Sequence, residues 1–396
     1  MSVPSTEPGP LSEFIARSSV IEPDSIGALA DLAAEVLGAS SGRLFIVDYA
    51  LREVRELRGD GKVGRGFVLE GTIAGRAFAS GSVVEHGDRP VTVWAPVSEG
   101  SERIGLIELI FDELSSKDAA LGDVADVVTT MMLMIVSRRR YTDVVLRARR
   151  AVPMSGAAEV QWDLLPPLSY AGAHVKVSGI LEPTYSIGGD SFDYAINPGR
   201  LDLAIVDAVG HGSPAVLMAA AAVNTLRNAR RENRSLEDAY RQVDRRIADQ
   251  FGQSFYVTGQ IATLQMSTGE LTWLNAGHVL PLLVRNGSFV GELQCAPSMP
   301  MGLGGPVVHV AVEPLQPGDR VLFHTDGVSE SRSSDGDVFG TERLGDFLVR
   351  AALDDVSVAE TVRRLSSDVV AHVGVGLRDD ATMFLVEYTG HTASDE

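Results

Sequence analysis

Four aspartates between positions 190 and 379 of the chain could do chemistry together. Asp190, Asp207, Asp326 and Asp379 each lie at the edge of an apolar, β-branched run. If these runs are strands of one domain, the carboxylates can converge at one end of it. Carboxylates without cysteine or a spaced histidine pair suit hard cations such as Mg²⁺ or Mn²⁺ rather than zinc. Two such ions that share a water lower its pKa and position it for in-line attack on phosphorus.

The local sequence around each aspartate indicates a strand end. Asp207 closes an apolar run and is followed by Ser213-Pro214, which suits the start of a helix. On that tight connection the carbonyl of Ala208 could also face a metal. Asp326 is followed by a glycine, and Asp379 comes just before the last apolar run. One Asp-Gly pair alone is also an ordinary turn, so the prediction depends on all four contexts together.

Composition limits the function classes. The 396 residues exceed one ordinary core, which predicts two domains. With 34 basic and 53 acidic residues the net charge is −19, which argues against a nucleic-acid-binding surface. The single cysteine, Cys295, excludes an internal disulfide and a cysteine-built metal site. We expect no membrane span and no secretory signal, and therefore a cytoplasmic protein.

The first half of the chain predicts a domain of strands flanked by helices, followed by a long helix. In that helix apolar residues keep a seven-residue rhythm until Arg138 and Thr142 interrupt it. The rhythm fits a helix that faces its own core, and it equally fits a helix that pairs two chains into a homodimer. The residues that carry the rhythm are Leu121, Val124, Val128, Met131, Ile135 and Val145.

The second half predicts an α+β fold, because its strands come in blocks and its helices in pairs. The expected organisation is a disordered tail (1–18), a first domain (19–136), a helical linker (137–168), a second domain (169–390) and a short tail (391–396).

The second domain resembles the metal-dependent Ser/Thr protein phosphatases of type 2C (PPM), in their bacterial sporulation stage II E-like and stress-response branch. The resemblance rests on five stretches and on a domain entry, Gln161–Pro166. The stretches are Glu182-Pro183 with Ile187–Asp193, Asp207–Ala215, Leu274–His278, His324–Val328 and Asp379–Thr382.

This resemblance implies an α-β-β-α sandwich with a centre of two ions, Mn²⁺ or Mg²⁺. It assigns Asp190, Asp207 and the Ala208 carbonyl to the bridging side, and Asp326 and Asp379 to one ion. It also implies a phosphorylated protein substrate, commonly an anti-sigma-factor antagonist. The wider family's histidine after Asp-Gly is Val209 here, so no leaving-group acid is evident.

Four histidines are the remaining candidates for chemistry. We expect His211 to be an exposed loop residue, His324 to be packed on a strand, and His278 to shape a turn or contact substrate. The first domain more loosely resembles GAF sensor domains. It contains no cysteine for a bilin, and its loop histidine His86 is expected to be exposed rather than a haem ligand.

The leading hypothesis is therefore a protein phosphatase regulated by its N-terminal domain. A first alternative is a catalytically weak, partner-binding module on the same fold, which the loss of the histidine at Val209 allows. A second is a diguanylate cyclase, because Gly188–Phe192 superficially matches that signature, although Ser191 stands where the signature needs an acid.

Overall fold

A computed structural model describes residues 9–113, 117–182, 185, 188–252, 254–374, 376–377 and 379–390. The chain divides into two compact units, Met1–Pro153 and Met154–Glu396. The division falls inside the segment predicted as a linker, whose two helices pack within different units. Residues 1–8 and 391–396 of the predicted tails, and Pro183 and Ile187 of the quoted motifs, lie outside the described residues.

Unit 1 is a six-stranded antiparallel sheet with helices on both faces. Helices α1, α2, α4 and α5 share one apolar core with the sheet, while α3 covers an aromatic cluster on the other face. Its helices are α1 Pro10–Ser18, α2 Ala28–Leu37, α3 Ile73–Ser80, α4 Lys117–Arg138 and α5 Val144–Arg149. Its strands are β1 Ser41–Val47, β2 Glu53–Leu57, β3 Val63–Val68, β4 Val84–His86, β5 Val91–Glu99 and β6 Glu102–Phe111, in the order β3-β2-β1-β6-β5-β4.

The predicted N-terminal tail is wrong for residues 10–18. They form α1, in which Pro10 occupies the first turn, where its missing N–H is not needed. Phe14 points into the unit 1 core and is fully buried. One aromatic anchor on a single turn gives too weak a periodic signal to separate a docked helix from a tail.

The predicted dimer seam is also wrong, because α4 uses it for its own core. Val124, Val128, Met131 and Ile135 are buried against the sheet. Ala120–Tyr141 is the one stretch in the described part of the chain that is long and apolar enough to cross a membrane by composition. A third of the apolar window in that stretch is buried, including Val128, Met131 and Ile135, so core packing accounts for part of its apolar composition, whereas Leu133 is exposed.

Unit 2 is two antiparallel sheets packed face to face with helices outside, which confirms the predicted sandwich. The sheets meet through Phe192 of one and Phe384 of the other, whose ring centres are 5.4 Å apart. A Cβ at Gly179 would collide with the Phe192 ring, so glycine is required at that close approach.

The first sheet of unit 2 has the order β15-β12-β11-β10-β9, and the second has the order β14-β13-β16-β17-β8-β7. The strands are β7 Ser169–Ala171, β8 Val175–Glu182, β9 Asp190–Asn197, β10 Arg200–Ala208, β11 Val257–Gln265, β12 Glu270–Ala276, β13 Leu282–Arg285, β14 Ser288–Glu292, β15 Ala311–Pro314, β16 Arg320–His324 and β17 Ala381–Tyr388. The helices are α6 Gly156–Leu164, α7 Ser213–Arg231, α8 Leu236–Phe251, α9 Asp326–Ser329, α10 Thr341–Leu353 and α11 Val358–Val373.

Candidate metal centre

The strand register brings the predicted aspartates to one end of unit 2. Asp190 begins β9 and lies directly opposite Asp207 near the end of β10. From the other sheet, Asp326 follows the end of β16, and Asp379 precedes the start of β17. Since β16 and β17 pair antiparallel, with His324 opposite Met383, their site-bearing ends coincide.

Hydrogen bonds between the sheets orient Asp190. Its carboxylate accepts a bond from the Thr325 hydroxyl at 2.7 Å, and its backbone N–H donates to the Asp380 carboxylate at 3.2 Å. The buried amide of Gln161 in α6 donates to the Asp190 carbonyl. Asp190 is therefore fixed from three directions, by residues that lie on β16–β17 connections and on the domain-entry helix.

An ion cluster holds β9 against the helices a few residues further on. The buried carboxylate of Asp193 accepts bonds from Arg227 at 2.7 Å and Arg230 at 2.8 Å, both on α7. Arg227 also donates to the Leu164 carbonyl of α6 at 2.6 Å. A buried carboxylate with two guanidinium partners keeps its charge compensated, so this cluster ties α6, α7 and β9 together beside the site.

Burial and mutual repulsion raise the pKa values of these acids. Burial, followed by repulsion from Asp207 and Asp380, raises the pKa of Asp190 well above its ordinary value. Burial, with the charges of Asp326 and Asp379, raises the pKa of Asp207 to about 6. Burial raises the pKa of Asp380 to about 7, with Asp379 and Asp207 adding to the effect. Repulsion of this kind is expected of acids that lie near one another at one end of the sheets.

The donor set fits hard divalent cations. All the acids are aspartates, and a Cβ at Gly188 or Gly189 would collide with the Asp380 carboxylate or the Ala208 carbonyl, so the glycine pair lets backbone and ligands approach. Within the described residues, no group of three or more histidine, cysteine, aspartate or glutamate side chains already has the spacing of one ion's ligands. The strand register and the hydrogen bonds between the sheets place the acids at one end of unit 2, and the mutual pKa effects agree with that placement.

Asp380, which the sequence reasoning passed over, is part of this site. Its carboxylate is buried and contacts the backbone of Gly188 and Asp190, whereas Asp379 is exposed. The Asp-Asp doublet was the available signal, but alternation at the start of a strand does not say which neighbour points inward. A cavity of about 190 Å³ beside Asp326 and Asp379 is also lined by Glu330, Ser331 and Arg332.

The histidines fall as expected where the structure tests them. His211 and His86 are exposed, and His324 is buried on β16. The turn role of His278 is confirmed: Asn275 accepts a bond from its backbone N–H at 2.7 Å and donates to its carbonyl at 2.8 Å.

Comparison with known proteins agrees with this geometry. The family model described as Stage II sporulation protein E (SpoIIE) matches residues 197–389. Unit 2 of the chain belongs to the SpoIIE family of PP2C-type protein serine/threonine phosphatases. This membership sets aside the diguanylate cyclase alternative.

Individual relatives of the SpoIIE-type unit are distant. The SiaA-PP2C domain of Pseudomonas aeruginosa shares its fold, with 21% identity, a TM-score of 0.50, and coverage of 59% of this chain and 94% of that one. The RsbU and RsbW domains of Rv1364c from Mycobacterium tuberculosis match with 27% identity and a TM-score of 0.47, over 57% of this chain and 63% of that one. Protein IcfG from Synechocystis is 22% identical over 242 residues, which are 53% of this chain and 37% of that relative's length.

Proposed function

We propose that the SpoIIE-type unit hydrolyses phosphoserine or phosphothreonine on a partner protein, with Mn²⁺ or Mg²⁺ as its cofactor. The observation that carries the proposal is the meeting of acidic residues from both sheets at one end, with Asp190 and Asp207 directly opposed. Family membership supports the same reaction class.

Two ions would be held by Asp190, Asp207 and the Ala208 carbonyl on one sheet, and by Asp326 and Asp379 from the other. When bound, such ions supply an activated water and neutralise the phosphoryl oxygens. The chain's own residues keep the ligands in place. Thr325 orients the Asp190 carboxylate through its hydroxyl, and Asp380 holds the Asp190 backbone.

Arg332 is the cationic side chain that lines the cavity next to Asp326 and Asp379. A guanidinium suits recognition of a phosphoryl group because its planar N–H donors match phosphate oxygens. We therefore assign Arg332 to binding the phosphate of the substrate. The variant Arg332→Ala should raise KM several-fold while kcat changes little, and a fall in kcat at unchanged KM would contradict this role.

The activity is tested with p-nitrophenyl phosphate and Mn²⁺. We expect metal-dependent hydrolysis that falls at least 100-fold in Asp207→Asn and Asp326→Asn. Asp335→Asn, which changes an exposed loop aspartate outside the site, serves as the matched control. Unchanged activity in both site variants would refute the assigned centre.

The same assay separates the enzyme from a catalytically weak partner-binding regulator. Val209 favours that alternative because it packs against the α7–α8 core instead of offering an acid to the leaving group. If the wild-type chain binds Mn²⁺ but hydrolyses neither p-nitrophenyl phosphate nor a phosphoserine peptide, the protein is a partner-binding regulator and not an enzyme.

For the substrate we propose a phosphorylated anti-sigma-factor antagonist, which is supported by the sporulation and stress-response branch that the motifs resemble. A phosphorylated antagonist should be dephosphorylated with a kcat/KM at least tenfold above that of its own denatured phosphopeptide. Equal kcat/KM values would show that the enzyme recognises only the phosphorylated residue and its immediate neighbours.

For regulation we propose that unit 1, a GAF-like sensor, sets the activity of unit 2. The two units have separate apolar cores, so they can be compared apart. Activity of the full chain should differ from that of a chain beginning at Met154. A homodimer would have to use a face other than the buried α4 residues, and light scattering on the full chain tests for it.

A further inference from the structure

A series of hydrogen-bonding side chains, from His278 through Thr258, leads to the carboxylate of Asp207. Thr258 of β11 lies directly opposite Asp207 in the strand pairing. Its hydroxyl oxygen is 3.5 Å from the Asp207 carboxylate, 3.4 Å from the Asp207 carbonyl oxygen and 3.0 Å from Nδ1 of His278. The order His278, Thr258, Asp207 thus runs from a turn, across a strand, to a proposed metal ligand.

His278 is held in one position by its turn. Gly277 has a φ of +67°, and a Cβ there would meet the ring of Pro300, so glycine lets the chain reverse direction. Asn275 bonds both the N–H and the carbonyl of His278. The imidazole therefore faces Thr258 through the backbone geometry and not through a flexible loop.

The ring is neutral. Burial, together with the nearby ring of His324, lowers the pKa of His278 to about 3. Burial likewise lowers the pKa of His324 to about 4. A neutral imidazole has one N–H, so its tautomer decides whether Nδ1 donates to the Thr258 hydroxyl or accepts from it.

Counting hydrogen bonds selects the tautomer. If Nδ1 carries the proton, it donates to Thr258, and the hydroxyl is free to donate to Asp207; two bonds form. If Nε2 carries the proton, the hydroxyl must donate to Nδ1, the bond to Asp207 is lost, and the Nε2–H faces the His324 backbone. Nε2 meets no partner at hydrogen-bond distance and angle, although a polar interaction with the His324 backbone opposes the fall in the ring's pKa. The Nδ1–H tautomer therefore accounts for the contacts of the Thr258 hydroxyl with both His278 and Asp207, whereas the Nε2–H tautomer accounts for one.

We propose that His278 and Thr258 are positioning residues that orient the Asp207 carboxylate for metal binding, with His278 protonated at Nδ1. This inference rests on the proposed function. A hydroxyl that donates to one oxygen of the Asp207 carboxylate restricts the rotation of that carboxylate. Such outer partners of a metal ligand commonly change metal affinity by about 10- to 100-fold when removed.

Calorimetric titration with Mn²⁺ on the full chain tests the first step. Thr258→Val keeps the shape of the side chain and removes its hydroxyl, and we expect the Kd for Mn²⁺ to rise about tenfold or more. Thr263→Val is the matched control, because Thr263 lies on the same strand and its hydroxyl donates to Asp202 at 3.1 Å, at the far end of β10. The control should bind Mn²⁺ like the wild type.

A double-mutant cycle tests whether His278 acts through Thr258. His278→Phe keeps a ring of similar size without nitrogen and should also weaken Mn²⁺ binding. In the Thr258→Val background the same change should add little, because the connection to Asp207 is already broken. Additive effects would show that His278 supports the turn but not the carboxylate.

Nitrogen-15 NMR of the histidine rings in the wild-type chain gives a reading that needs no variant. We expect the His278 signals of an Nδ1–H tautomer, and an Nε2–H tautomer would overturn the inference. If the wild type binds no Mn²⁺, the proposed function itself fails. If the wild type binds Mn²⁺ and Thr258→Val binds it equally well, only the positioning role fails.

Discussion

Asp380 offers the sharpest test of the electrostatics of this site, through the variant Asp380→Asn. The asparagine retains an oxygen that can accept the bond from the Asp190 backbone, but it removes a charge that repels Asp207 and Asp379. We expect the variant to unfold less readily than the wild type at neutral and alkaline pH when divalent ions are chelated. At about pH 4 the two proteins should be nearly equal in stability.

The sign follows from proton binding. The pKa of Asp380 is raised in the folded protein, so between pH 4 and about 7 the folded state holds more protons than the unfolded state. Its stabilising contribution is therefore complete below the unfolded pKa and is lost as the pH rises through the folded value. Asparagine does not titrate, so the variant does not lose this stability as the pH rises.

The magnitude follows from the same values. A pKa of about 7 against the ordinary 3.8 would correspond to about 4 kcal/mol if Asp380 titrated alone, since one pKa unit is worth 1.36 kcal/mol. Because Asp190, Asp207 and Asp380 repel one another, a proton on one relieves the others. We therefore expect about half of that value, about 2 kcal/mol, at pH 8.

Urea unfolding in EDTA at pH 4.5, 6 and 8, followed through Trp273 in the core of unit 2, measures the difference. Asp335→Asn on the surface is the control and should show no comparable growth with pH. If Asp380→Asn is less stable than the wild type at pH 8, or if the difference does not change with pH, the repulsion inferred for this pocket is absent.

Three further changes test other parts of the structure. Gly189→Ala should lower stability by about 2 kcal/mol or more and weaken Mn²⁺ binding, because its Cβ would meet the Ala208 carbonyl; wild-type binding would contradict the close approach. Gln161→Leu should cost about 1–3 kcal/mol by leaving the Asp190 carbonyl without its buried donor, and an unchanged urea midpoint would refute that bond. Phe14→Ala should lower the free energy of unfolding of unit 1 by about 3–5 kcal/mol. An unchanged free energy of unfolding would support the original prediction of a disordered N-terminal tail.

The sequence was sufficient for the site's general position because strand ends leave a local signature. Asp207 and Asp326 each follow a β-branched run and precede a turn, so their places at the sheet edge follow from their neighbours alone. The sandwich could be predicted for the same reason, since blocks of strands and paired helices limit the possible layers.

The residues around the aspartates could not be predicted, because they depend on contacts between distant segments. Thr258 reaches Asp207 only through the β10–β11 register, and Gln161 reaches Asp190 from a helix 29 positions away. The error at α4 has a different cause. Apolar residues such as Met131 recur with the same spacing whether they face a partner chain or their own sheet, so periodicity alone cannot separate the two cases.

The contact between Phe192 and Phe384 has a consequence beyond packing. The acids on one layer and those on the other can meet only while the two layers keep their alignment, and this aromatic pair helps to set it. A substitution deep in the sandwich could therefore look like an active-site lesion in a genetic screen, although it touches none of the acids. Conversely, a cation bound by acids from both sheets would stabilise the alignment of the sheets, so the affinity for the cation would depend on that alignment.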